Sequence, residues 1–342
     1  MNNKKKILIT GGCGYVGTSL IDYLIKLDFE IICLDLMIYG DKSIKSFSKF
    51  NNIKFYKEDI RKTEIIEKYF TDLDYVIHLA AIVGDKPCES APEVAYDINF
   101  NSTKEILNLS KKYNIKKFIF ASTCSNYGIS DPNIFASEDS KLNPVSLYAE
   151  TKIDCEKYLS ENSDDKMKIV CLRFGTAFGV SKRTRFDLTI NSFVFEALKK
   201  KKIYLYAPNS WRPYIHVNDM AKIILKFIQS SSKSLKPFDI FNAGFTKNNF
   251  TKIQIFSKIL RNFQNLNYEV IESIEDPRNY KVSFEKIENK LNLEPPISIE
   301  DGIRDIQSAF ADRLITDQDF ESFNLESVTR FFTKKGNELK IN

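Results

Sequence analysis

The chain has 342 residues, of which 43% are hydrophobic, and a net charge of +5. That length allows one large α/β domain or two smaller ones with ample core. The modest charge, the lack of a ~18-residue apolar run and the lack of an apolar stretch after the first lysines argue against nucleic acid, a membrane span and a signal peptide.

In chain order, Lys6–Ile9 predicts a short apolar strand. Thr10 to Gly17 reads Thr-Gly-x-x-Gly-x-x-Gly and opens a helix expected over 18–27. Gly11 lets the chain turn out of the strand, Gly14 lets a pyrophosphate approach the backbone, and Gly17 lets the helix pack close to its strand. Tyr15 and Val16 belong to the same loop and are assigned to the cofactor, and the free N–H groups and dipole of the helix that follows favour phosphates. A second strand over 30–35 ends in Asp35, placed to take adenosine ribose hydroxyls and to repel a 2′-phosphate, so NAD is favoured over NADP. A third strand, 53–56, leads to Asp59 and Ile60, with Asp59 expected to meet an adenine edge.

After a short helix over 63–70, a fourth strand over 75–79 carries His78, expected to pack at the strand end, and runs into Leu79, Ala80 and Ala81. Small residues there leave room for a cofactor. One long helix is expected over 93–113, carrying Asn99, and a fifth strand over 117–122. Strands alternating with helices specify a doubly wound parallel sheet, a Rossmann α/β fold with its cofactor at the carboxyl ends of the strands. The fifth strand ends in Ser122-Thr123-Cys124-Ser125-Asn126-Tyr127-Gly128. A helix starting near Ser146 then places Tyr148 and Lys152, four apart, on one face. Tyr113 and Lys117 share that spacing but straddle a helix end and a strand start.

Six cysteines without a Cys-x-x-Cys pair read as reduced cytoplasmic usage, and two distant histidines, His78 and His216, argue against a histidine metal site; no metal is expected.

The glycine motif, the Ser-Thr-x-x-x-Tyr-Gly strand end and the Tyr148-x-x-x-Lys152 pair resemble the extended short-chain dehydrogenases/reductases. Within them the chain is similar to the nucleotide-sugar epimerases, dehydratases and dehydrogenases. Leu172-Arg173 to Gly179, Arg212-Pro213-Tyr214-Ile215-His216-Val217-Asn218-Asp219 and Asp276-Pro277-Arg278 extend the match over about residues 6–310. The resemblance implies NAD as cofactor, held by the glycine loop, Asp35, Asp59, Ile60, Leu79 to Ala81, Asn99, Tyr148 and Lys152. Tyr148 is expected to take a hydroxyl proton, helped by the Lys152 ammonium, with Thr123 hydrogen-bonding the reacting oxygen. Lys152 is also expected on the nicotinamide ribose.

Where the 4,6-dehydratases of this family carry Asp-Glu after the Thr, this chain has Cys124 and Ser125, so 4,6-dehydration is disfavoured; both are assigned to the sugar pocket, although a buried small residue is the favoured reading of Cys124. Arg212 and Arg278, with Asn191, match family positions near the nucleotide diphosphate. Loop residues Arg183 and Arg185 suit the same anion, because guanidinium pairs bidentately with phosphate oxygens. The Arg-x-Arg-x-Asp-Leu run resembles a bacterial subgroup acting on activated hexoses or heptoses for surface polysaccharides, GDP-heptose 4-dehydrogenases among them.

The expected organisation is an NAD-binding domain over 1–180, a nucleotide-sugar-binding part over 181–315, interleaved with it, and a helical tail over 316–342. The leading expectation is a 4-epimerase working through a 4-keto sugar. The alternative is a 4-dehydrogenase or ketoreductase, and a third reading is a non-catalytic NAD-binding regulator. A homodimer through helices over 93–113 and 147–159 is expected, with a nucleotide-diphosphate sugar as the small-molecule partner.

Overall fold

The structure, a computed structural model, describes residues 4–316 except 132, 200, 201, 264, 273–275 and 277, together with Asp319. The tail expected over 316–342 therefore lies almost wholly outside the described residues. In chain order the strands are β1 (Lys5–Thr10), β2 (Phe29–Asp35), β3 (Ile53–Lys57), β4 (Tyr75–His78), β5 (Lys117–Thr123), β6 (Phe135–Ala136), β7 (Lys168–Phe174), β8 (Thr176–Phe178), β9 (Ile203–Tyr206), β10 (Trp211–His216), β11 (Phe238–Ala243), β12 (Asn249–Thr251), β13 (Tyr268–Ile271) and β14 (Lys281–Val282).

Seven of them form one parallel sheet in the order β11-β7-β5-β4-β1-β2-β3. Side chains alternate across it. Ile7, Ile9, Ile119, Val170 and Leu172 join one apolar layer with helices Tyr15–Leu24 and Val217–Gln229. Leu8, Phe118, Phe120, Ile169 and Cys171 join the other with helices Ser102–Lys112 and Leu147–Glu161. A parallel sheet needs both faces covered, and these near-continuous apolar strands supply both. The order reverses between β1 and β4, and that switch point opens the crevice for the site.

A smaller region gathers β8, β10 and β12, the β9–β13 pair, and helices Thr189–Leu198, Lys252–Leu260 and Ile299–Ala311 around Phe178, Val194, Tyr214, Ile255 and Ile303. β11 returns to the large sheet from beyond residue 181, so the two regions interleave along the chain.

Two elements differ from the sequence reading. The first helix starts at Tyr15, three residues early, because extended Gly14 caps it and its carbonyl accepts from Thr18. The single helix expected over 93–113 is instead Pro92–Tyr96, a wide π-type turn over Asp97–Asn101, and Ser102–Lys112. The hydroxyls of Ser102 and Thr103 donate to the carbonyls of Asp97 and Asn99, at 3.2 and 2.6 Å, and so satisfy groups the widened turn frees. The Tyr113–Lys117 pair forms no site. Lys117 Nζ instead caps the end of helix Val217–Gln229 through the carbonyls of Phe227, Ile228 and Ser230, and Tyr113 donates to Glu67.

Beneath the site, Glu156 is 4% exposed and accepts from Ser122 Oγ at 2.5 Å, from Asn126 Nδ2 at 3.1 Å and from the Arg173 fork, whose closest contact is 2.7 Å. These bonds tie the helix bearing Tyr148 and Lys152 to the ends of β5 and β7. Removing one partner of such a pair leaves a buried charge uncompensated. Glu156→Ala is expected to cost about 3–5 kcal/mol, read as a lower urea midpoint with an unchanged slope; a loss below ~1 kcal/mol would show that the network does not hold the helix.

Candidate active site

One cavity of about 370 Å³ opens at the carboxyl ends of β1, β2, β4 and β5. Its wall takes in Gly11, Gly14, Tyr15, Val16 and Gly17 from the glycine loop, Asp35 from the end of β2, Asp59 and Ile60 after β3, and Leu79, Ala80 and Ala81 after β4. Thr123, Ser125, Tyr148, Lys152, Arg183, Arg185 and Arg278 complete the opposite side. The structure thus brings eighteen sequence-named residues to one cavity and leaves Asn99, Cys124, Asn191 and Arg212 outside its wall.

The loop has no room for side chains. A Cβ on Gly17 would stand 2.5 Å from Gly12 Cα and 2.6 Å from its carbonyl oxygen. Gly11 has φ +71°, and a Cβ there would meet the Ala80 nitrogen at 2.6 Å. The first N–H groups of helix Tyr15–Leu24 lack partners within the helix, so this bare backbone suits a pyrophosphate. Asp35 accepts from the Cys13 N–H at 2.9 Å and the Met37 N–H at 2.7 Å. A carboxylate offers about four acceptor positions, which leaves two for ribose hydroxyls. Burial pushes this carboxyl up, and the Met37 and Cys13 N–H groups oppose it. The loop, the acid and the small Ala80–Ala81 step fit NAD.

At the chemical end, Ser146 caps helix Leu147–Glu161 by accepting from Ala149 N–H at 3.3 Å. Lys152 Nζ donates to the Ala121 carbonyl at 2.9 Å and lies 6.0 Å from the Tyr148 ring centroid. Burial lowers the Lys152 pKa and raises that of Tyr148. Against that rise, the Arg185 guanidinium pulls the phenol down, while Asp85 pushes it further up. Thr123 accepts from Ser125 N–H at 3.1 Å, which leaves its own proton for an oxygen in the cavity. His78 is not part of this set. Its Nδ1 faces Thr10 Oγ1 at 2.6 Å and its Nε2 faces Thr103 Oγ1 at 2.9 Å. Thr103 already donates to the Asn99 carbonyl, so Nε2 carries the ring proton, and burial pushes the imidazole pKa down to about 3.

Four residues assigned to ligands from the sequence lie outside the cavity wall and bond within the protein. Asn99 clamps the Ile82 backbone, accepting from its N–H at 2.8 Å and donating to its carbonyl at 3.0 Å. Cys124 is 1% exposed, and its Sγ donates to the Arg173 carbonyl at 3.0 Å. Asn191 accepts from Gly179 N–H at 2.9 Å and donates to the Arg185 carbonyl at 2.7 Å, while Tyr15 Oη donates to the Gly179 carbonyl at 2.7 Å. The glycine loop and the arginine loop are therefore stitched together. Arg212 lies 2.7 Å from Asp276, a carboxylate shared with Lys252 at 2.8 Å and Arg278 at 3.3 Å. Those cations outweigh burial and hold Asp276 well below the usual carboxylate range. Asp59 needs a correction of another kind. It lines the cavity, but Arg61 engages both of its carboxylate oxygens, at 3.0 Å and 2.6 Å, so an adenine would have to share them. Trp211 lies away from the cavity wall, beneath Lys281.

The sequence reading missed Tyr39, whose ring lies 3.8 Å from the Arg183 guanidinium, and two wall carboxylates, Asp85 and Asp187. Asp187 stood within the quoted Arg-x-Arg-x-Asp run; Asp85 carried no signal. Among the described residues no cluster could hold a metal ion, and no helix is long and apolar enough to cross a membrane.

Residues 7–244 match the NAD dependent epimerase/dehydratase family. The chain belongs to that family and is an NAD-dependent enzyme of the extended short-chain dehydrogenase/reductase type. It is 28% identical to a UDP-glucuronate 4-epimerase of Thermodesulfobacterium geofontis, over 87% of this chain and 93% of that protein. It is 26% identical to a UDP-glucose 4-epimerase of Lactobacillus helveticus, over 73% and 79%. The Thermotoga maritima UDP-glucose 4-epimerase, solved with UDP-glucose, superposes with a TM-score of 0.79 at 25% identity, covering 91% of this chain and all of that one.

If the glycine loop holds the cofactor, Gly17→Ala should weaken NAD binding at least tenfold by titration calorimetry, because the clash is with backbone. Unchanged affinity in a folded variant would place the cofactor elsewhere.

Proposed function

We propose that the protein is a nucleotide-sugar 4-epimerase, with Thr123, Tyr148 and Lys152 as its catalytic set. The observation that carries this reading is their convergence with the glycine loop on one cavity. NAD supplies the acceptor and donor of hydrogen at C4. Tyr148 takes the C4 hydroxyl proton, Lys152 favours its phenolate by charge, and Thr123 holds the reacting oxygen. Once the 4-keto sugar has turned its other face toward the nicotinamide, so that hydride would come back on that face of C4, Tyr148 returns the proton to the C4 oxygen. A dehydratase needs an acid and base beside Thr123, and Cys124, bonded to the Arg173 carbonyl in the core, offers neither.

In this reading Arg278, with the arginine loop, binds the diphosphate, and the smaller region around β8, β10 and β12 carries the nucleotide. The six cysteines are buried and unpaired, which fits a reducing, cytoplasmic location. Tyr148→Phe is expected to lower kcat about 10²–10⁴-fold, the scale of general acid–base catalysis, with NAD affinity retained. Turnover within threefold of wild type would remove Tyr148 from the chemistry.

We also propose a homodimer through segment 92–112 and helix Leu147–Glu161. Tyr96, Phe100 and Tyr158 form an aromatic strip there, with ring centroids 5.2 and 6.1 Å apart, and Tyr96 is 38% exposed. Light scattering on wild type should give twice the chain mass and on Phe100→Glu the chain mass. A monomeric wild type would overturn this assembly.

A further inference from the structure

The Tyr15 hydroxyl serves no purpose within the glycine loop. A pyrophosphate there meets backbone N–H groups, and a phenyl ring would fill the same space. Yet Tyr15 is only 6% exposed, and its Oη donates to the Gly179 carbonyl at 2.7 Å, 164 residues further along the chain. Burial pushes this phenol well above its usual range, so the hydroxyl keeps its proton and stays a donor. Gly179 follows β8 and opens the loop from which Arg183 and Arg185 reach the cavity wall.

The receiving end is a closed set of bonds. Asn191, fully buried in helix Thr189–Leu198, accepts from the Gly179 N–H at 2.9 Å. Its amide donates to the Gly179 carbonyl at 3.2 Å and to the Arg185 carbonyl at 2.7 Å, and lies 3.4 Å from Tyr15 Oη. Two backbone points of the loop, Gly179 and Arg185, thus hang from Asn191, and Tyr15 fastens them to the helix that starts at the cofactor loop. His216 also closes on Gly179, where a Cβ would stand 2.1 Å from its Nε2. One other link joins the same helix to the same loop, Lys182 with Asp22 at 3.6 Å, the two side chains 34% and 40% exposed. An exposed ion pair of that length contributes little. A buried hydrogen bond costs more to lose, because its acceptor is left short of a partner away from water.

We propose that Tyr15 is a positioning residue for the nucleotide sugar: its hydroxyl, acting through Gly179 and Asn191, holds the loop of Arg183 and Arg185 where it meets the substrate diphosphate. This rests on the reading of that loop as diphosphate-binding. The hydroxyl touches neither the cofactor nor the reacting carbon in this account. Its removal therefore acts on substrate affinity and spares both NAD affinity and the chemical step.

The experiment compares the full chain with its Tyr15→Phe variant, which keeps the ring and removes only the hydroxyl. Calorimetry gives the Kd of NAD, and then the Kd of UDP, GDP and dTDP on the NAD-saturated protein. Conversion of UDP-glucose, GDP-mannose and dTDP-glucose, followed by NMR, gives kcat and KM. In Tyr15→Phe, the Kd of the accepted nucleoside diphosphate and the KM of its sugar should rise about tenfold, the scale of one buried hydrogen bond. Both kcat and the Kd of NAD should stay within about twofold, and amide exchange should quicken over residues 179–185. Asp22→Asn, which removes the exposed link, should leave all of these within about twofold. If Tyr15→Phe does not fold, Asn191→Ala cuts the same set of bonds from the other side and is held to the same outcome. A folded variant with diphosphate Kd and KM within about twofold of wild type, or one whose NAD affinity falls as far as its diphosphate affinity, would overturn the proposal and leave the epimerase reading standing. A wild type that binds NAD but none of the three diphosphates would remove the diphosphate reading of the loop, and this inference with it.

Discussion

The structure depends on one close approach. The turn from β1 into helix Tyr15–Leu24 is so tight that a single added carbon at Gly17 would collide with the backbone of Gly11 and Gly12, and one at Gly11 with the backbone of Ala80. That contact sets where the helix begins, brings its open N–H groups to the sheet's switch point, and joins β1 to the turn after β4. It also reaches across the molecule. Tyr15, the first residue of the helix, donates to Gly179, and Asn191 fastens Gly179 to the loop that bears Arg183 and Arg185. The backbone that fits a pyrophosphate is thus physically continuous with the loop proposed to face the sugar nucleotide.

The reacting end has its own anchor. Tyr148, Lys152 and Glu156 succeed one another by four along one helix, and the last of them is locked to Ser122, Asn126 and Arg173. A phenol does useful proton transfer only if it is held within hydrogen-bond reach of its substrate. Burial alone drives Tyr148 away from the phenolate, so the neighbouring charges decide whether it can act as a base. Arg185 pushes in the required direction, as the Lys152 ammonium does by its charge and the positive ring of bound NAD would, and Asp85 opposes them.

Much of this was legible in the sequence, because period and spacing encode backbone. The glycine triplet, the acid ending β2, the small residues after β4 and the Tyr148–Lys152 pair all reach the cavity wall. What the sequence did not show was the direction of individual side chains. Thr123 and Cys124 are adjacent, yet one opens on the cavity and the other bonds a core carbonyl. Asn99, Asn191 and Arg212 sit near the ligand region in the chain but are buried, and buried polar groups take partners from the protein itself. The break in the helix expected over 93–113 was hidden for a related reason. Ser102 and Thr103 look neutral in a helical pattern, and only their bonds to Asp97 and Asn99 show them supporting a wide turn. Asp85 was silent because an exposed-looking acid in a loop gives no clue that an arginine nearly 200 residues later will face it.

In the proposed reaction one site removes hydrogen from C4 and returns it to the opposite face of the same sugar. The most direct measurement uses an accepted nucleotide sugar deuterated at C4, with the product followed by NMR and mass spectrometry. A 4-epimerase should give an inverted C4 centre that keeps its deuterium, at unchanged mass and with no lasting absorbance near 340 nm. A product lacking the C4 deuterium and oxidised at that carbon, with matching reduced cofactor, would contradict it and make the protein a dehydrogenase.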